Sequence, residues 1–111
     1  MKFDLSKMME QARKMQEDLK ASQADLEKIV VEADSGGGMV TVKANAAMKI
    51  INIEIEEVMF NPSEKEMVEQ LIAAAINAAL EKAKKASEDM IGQKSADMLK
   101  NLNLNDLGKS E

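Results

Sequence analysis

The chain has 111 residues, 45% of them apolar and ten of them Met, with only 2% aromatic residues and no Trp or Tyr. Fifteen Lys and Arg stand against 20 Asp and Glu, a formal net charge of −5 that favours solubility and weighs against strong non-specific binding to nucleic acid. With neither Cys nor His, the sequence excludes disulfides, thiolate chemistry and Ser-His-Asp or Cys-His catalysis, and it lacks the commonest zinc ligand and general base.

The first predicted element is a long helix. Leu5, Met8, Ala12, Met15, Leu19, Ser22, Leu26 and Ile29 recur in alternating steps of three and four, the a/d seam of a coiled coil, with Ser22 its one polar member. At 1.5 Å per residue this helix is about 35 Å long. Its apolar stripe is narrow and its other faces are charged, so it needs a second helix, from its own chain or from a second copy.

At Ile29 the period changes. Ile29-Val30-Val31 is a β-branched run, which favours strand over helix. Three strands are predicted, at 29–34, 39–44 and 49–57. Ser35-Gly36-Gly37-Gly38 forms the first turn and Asn45-Ala46-Ala47 the second. In the third strand Ile51, Ile53 and Ile55 face one way, while Asn52, Glu54 and Glu56 face the other. Short connections make this an antiparallel meander with one apolar face that needs a cover.

The cover is a second long helix. Ser63 is its predicted N-cap, with Glu66 completing a capping box. Val68, Leu71, Ile72, Ala75, Ile76, Ala79, Leu80 and Ala83 make a broad stripe, and Ala74, Ala75, Ala78 and Ala79 are expected to let the backbone approach the sheet closely. Gly92 is expected to end the helix. One domain is therefore expected at 1–92, followed by a polar tail, 93–111, for which a short helix and disorder both stay open. The fold class is α+β.

The glycines read as a hairpin turn. A phosphate-binding loop needs a helix N-terminus after its glycines, and here Met39-Val40-Thr41-Val42 follows, with no Lys-Ser/Thr pair. Glu54, Glu56 and Glu57 could pair as metal ligands or as acid and base, but read first as the solvated face of a strand. No catalytic site emerges, and no cofactor or metal is expected. The start, Met1-Lys2-Phe3-Asp4-Leu5, lacks a signal-peptide core, and no apolar run approaches a membrane span. A cytoplasmic protein is expected.

The order helix, meander, helix carries specific residues. Ser35-Gly36-Gly37-Gly38-Met39-Val40, then Val42, Asn45, Ile53 and Ile55, then Leu71-Ile72-Ala73-Ala74-Ala75-Ile76-Asn77-Ala78-Ala79, together with the helix Met8-Met9-Glu10-Gln11-Ala12-Arg13-Lys14-Met15-Gln16, resemble the YbaB/EbfC family of bacterial nucleoid-associated proteins. Ala46 departs from that pattern, which has Gly after the Asn, so a turn longer than the tightest hairpin is expected. The resemblance implies a cytoplasmic, nucleoid-located homodimer without enzymatic activity. Such a dimer binds DNA with its long helices and alters its conformation, in nucleoid organisation or gene regulation.

Within this chain the cations available to DNA are Lys7, Arg13, Lys14 and Lys20 on the first helix and Lys82, Lys84 and Lys85 on the last. Both groups also read as solvated faces with partners at i, i+4, such as Glu10–Lys14 and Glu81–Lys85. The partners expected are DNA and a second copy, with no membrane and no small-molecule substrate. The alternative is a protein-interaction or scaffold module without nucleic-acid binding, which the heptad seam and the Met content support equally well.

Overall fold

The computed structural model describes residues 4–109, so Met1-Lys2-Phe3 and Ser110-Glu111 lie outside the described residues. Helix α1 spans Leu5–Lys28. Asp4 caps it, its Oδ1 accepting from the Lys7 N–H at 3.3 Å. The β-branched run ends it, with Ile29 already extended at φ −86°, ψ 109°. No described residue of α1 is buried. Its seam meets a partner only at its base, where Ser22, Leu26 and Ile29 are half-buried, while Leu5 and Leu19 are each 69% exposed.

The sheet is the expected meander: β1 (Val30–Ser35), β2 (Val40–Asn45) and β3 (Ile50–Ile55), antiparallel, in the order β1-β2-β3. Ala33 pairs with Val42, Val42 with Ile53 and Val40 with Ile55, so these residues share one face. The third strand is shorter than expected, because Glu57–Met59 turns into a 3₁₀ helix. The clean alternation of Ile51, Ile53 and Ile55 also breaks. A bulge between Lys43 and Ala44 places Ile50, not Ile51, opposite Ala44.

Both turns are settled by backbone chemistry. Gly36, Gly37 and Gly38 all have positive φ (61°, 66° and 94°), which suits residues without a Cβ. The second turn is the longer one expected from Ala46. Asn45 Oδ1 accepts from the N–H groups of Ala47 (3.0 Å) and Lys49 (3.2 Å), and Met48 takes the positive φ of 67° that a glycine would otherwise carry.

Helix α2 spans Lys65–Lys109. Its Ala75, Ala79 and Ala83, spaced by four and fully buried, lie on Ala33, Val40, Val42 and Ala44 to form the core. Small side chains on one stripe permit that close approach. Of the four alanines expected there, Ala75 and Ala79 are buried and Ala78 half-buried, but Ala74 is exposed, because each residue turns the helix by about 100°. Two further expectations are overturned. Ser63 does not cap α2; it sits within a preceding 3₁₀ turn, Pro62–Glu64, which Asn61 caps by accepting from the Ser63 N–H at 3.3 Å. Gly92 does not end α2 either. It stays helical and the chain runs on, since a lone glycine costs only about 1 kcal/mol and no proline follows. Among the described residues no helix is long and apolar enough to cross a membrane.

Candidate nucleic-acid interface

Two helical arms leave the sheet from a common base. At the end of α1 the Ile29 carbonyl accepts from the Ala46 N–H at 2.9 Å, and Glu27 pairs with Lys49 at 3.5 Å. On α2, Lys82 Nζ donates to the Glu32 carbonyl of β1 at 2.9 Å. Three turns later Lys94 Nζ reaches back to Asp25 Oδ2 (3.1 Å) and Ser22 Oγ (3.4 Å) of α1. Helix α2 thus meets α1 again beyond the sheet, at Ser22 and Asp25. Outward of that contact Leu19 and Met98 are exposed by 69% and 66%, and the molecule extends to 74 × 32 × 18 Å.

Every predicted cation is exposed. Lys7, Arg13, Lys14 and Lys20 lie on α1, with Lys7 and Lys14 on one stripe and Arg13 and Lys20 on another, both away from the apolar seam. Glu10 and Glu17 lie between the two stripes. Among the described residues, none of these four cations has an ion-pair partner within 4.0 Å, and the pairs Glu10–Lys14 and Glu81–Lys85 do not form at that distance. Lys84 and Lys85 are likewise free of such pairs among the described residues. Lys82 differs, because its ammonium is engaged by the edge of β1.

The two clusters are not brought together. From Lys94, Lys84 lies ten residues toward the sheet, and from Asp25, Lys14 lies eleven residues outward. At 1.5 Å per residue they are about 30 Å apart along the arms.

The outer face of the sheet is unsuited to a polyanion, because its carboxylates outnumber its one lysine. Glu32, Asp34 and Glu54 share that face with Thr41, Lys43 and Asn52. Glu54, Glu56 and Glu57 border a shallow depression beside Gly38 and Thr41, and among the described residues no three carboxylates gather as metal ligands. The glycine loop leads into β2, not into a helix, so it presents no helix N-terminus to a phosphate.

The inner face of the sheet is only partly covered. Leu71 and Lys82, which touch β1, mark one flank of α2; Ile72 and Ile76 lie on the opposite flank, toward β3. There α2 leaves Ile50 (38% exposed) and Ile53 (39% exposed) uncovered beside a half-buried Ile55. The result is an uncharged apolar shelf. Sequence reasoning missed two features of this region. The open shelf depends on where α2 lies, which no local pattern encodes. Lys94 was overlooked because Gly92 placed it in a tail; Ser22, the polar break in the α1 seam, was the signal that something polar meets α1 there.

The profile of the YbaB/EbfC DNA-binding family matches residues 1–98. The chain is 43% identical over 91 residues to a nucleoid-associated protein of Desulfotalea psychrophila, covering 82% of this chain and 86% of that one. It is 41% identical over 101 residues to a nucleoid-associated protein of Pelotomaculum thermopropionicum, covering 91% and 92%. Among solved structures, an uncharacterized protein of Helicobacter pylori shares the fold with a TM-score of 0.58 at 18% identity, over 72% of this chain and 93% of that one.

Proposed function

This chain belongs to the YbaB/EbfC DNA-binding family, and from that premise we propose that it binds duplex DNA as a homodimer and alters the DNA's conformation, in nucleoid organisation or gene regulation within the cytoplasm. The reading is of a binding protein, not an enzyme. The observation that carries it is the group Lys7, Arg13, Lys14 and Lys20. These four exposed cations sit on a projecting arm and, among the described residues, have no ion-pair partner. Affinity for a polyanion follows the phosphates neutralised locally, so a net charge of −5 is compatible with such a cluster. Lys84 and Lys85 are the second contact, with Lys82 serving both the sheet edge and the cluster.

The dimer is proposed to close on the shelf of Ile50, Ile53 and Ile55 with Ile72 and Ile76. A two-fold interface sets a patch against itself. The uncharged shelf is self-complementary, whereas the outer face, with Glu32, Asp34 and Glu54, repels its own copy. Dimerisation doubles each cluster, so that weak contacts act together.

The test is a DNA titration at two salt concentrations on protein of verified oligomeric state. Binding that falls steeply with salt supports the reading. No binding at low salt overturns it in favour of an interaction module, to which the exposed Leu5, Met15 and Leu19 seam would then belong.

A further inference from the structure

Helix α1 is a 24-residue lever with no buried side chain, held at its base by the half-buried Leu26 and Ile29 and by a few polar ties. The outermost tie among the described residues is Lys94, which donates to both Ser22 Oγ and Asp25 Oδ2. Ser22 is the one polar residue of the α1 seam, and Asp25 lies on the flank beside it. A polar residue placed in an apolar helix seam fixes register at some cost in stability. Here it stands where the ammonium of the facing helix arrives.

We propose that Lys94, clasping Ser22 and Asp25, sets the register and spread of the two helical arms and is a positioning residue for nucleic-acid binding. Lys7 lies eighteen residues, or about 27 Å, from Asp25, so a tilt of about 10° at the clasp moves it about 5 Å. That exceeds the 3.4 Å rise between phosphates of one strand. A small change at Lys94 therefore decides whether the cations of α1 and those near Lys84 meet phosphates in the same encounter. The consequence for DNA rests on the proposed function; the arm geometry does not.

The chain has no Cys, so Glu10→Cys and Ser95→Cys can carry a spin-label pair, one on each arm, in labelled chains diluted with unlabelled protein. The parent is expected to give a narrow distance distribution at low salt. Lys94→Met and Asp25→Lys broaden it, and the exchanged pair Lys94→Asp with Asp25→Lys restores it. DNA affinity is compared among the parent, Lys94→Met and the exchanged pair, because Asp25→Lys alone adds two positive charges that attract DNA whatever the arm geometry. Lys94→Met weakens binding by about two- to five-fold, the range open to an exposed ion pair, and the exchange recovers it at unchanged net charge. A parent distribution as broad as that of Lys94→Met overturns the clasp. Distances that respond while DNA affinity stays constant among those three proteins uphold the clasp and overturn the arms as the DNA contact.

Discussion

Ser35 Oγ lies 2.6 Å from the Leu71 carbonyl, a hydrogen bond that ties the last residue of β1 to α2 across 36 positions of sequence. The adjoining Gly36 packs on the same residue: a Cβ there would come within 3.0 Å of Leu71 Cδ1, whereas one at Gly37 would meet open space. The glycine loop is therefore held against α2 at its first residue and is free at its second.

From this, Gly37→Val should cost about 1–2 kcal/mol, the penalty of left-handed backbone for a branched residue. Gly36→Val should cost more, because Leu71 must also move. Chemical denaturation of both variants checks the order. A Gly37→Val protein of full stability would show that positive φ is not required there.

The second turn offers the opposite sign. Met48 holds φ at 67° and is 48% exposed, so it pays for its backbone with little packing in return. Met48→Gly is expected to stabilise the fold by about 0.5–1 kcal/mol. Asn45→Ala should destabilise it by about 1–3 kcal/mol, since the N–H groups of Ala47 and Lys49 lose their acceptor. Thermal melts of the two variants should move in opposite directions.

Ile53→Lys places a charge on the shelf beside β3. Because Ile53 is already 39% exposed, the monomer should tolerate it, with helical circular dichroism unchanged. Sedimentation is expected to report a dimer for the parent and a monomer for the variant. A parent that is itself monomeric at tens of micromolar, a range in which a folded dimer of this kind should persist, removes the interface altogether.

Arg13→Ala with Lys14→Ala tests the first arm. Neither position faces the seam, so the fold should be unaffected. Binding should weaken alike on all DNA sequences, because phosphate contacts carry no sequence information. The slope of log affinity against log salt should fall by about one per lost contact per subunit. Equal affinity of variant and parent at every salt concentration moves the contact to Lys84 and Lys85.

The order and type of the two long helices and the three strands were legible in the sequence by itself, whereas the two short 3₁₀ turns between β3 and α2 were not. The a/d steps of α1, the β-branched switch at Ile29, the three glycines and the alternation around Ile53 are all set by residues a few positions apart, and so are the turns they dictate. The same local view misplaced the start of α2, because Ser63 is taken up inside the 3₁₀ turn that Asn61 caps, and it stopped α2 at Gly92, because glycine permits a helix end without requiring one. Tertiary structure alone decided the rest. Alanine at 75, 79 and 83 draws α2 onto β1 and β2, and that choice leaves Ile50 and Ile53 open. Lys94 meets Asp25 across 69 positions of chain. Such contacts depend on how whole elements pack, and packing is a property of distance in space that no short window of sequence contains.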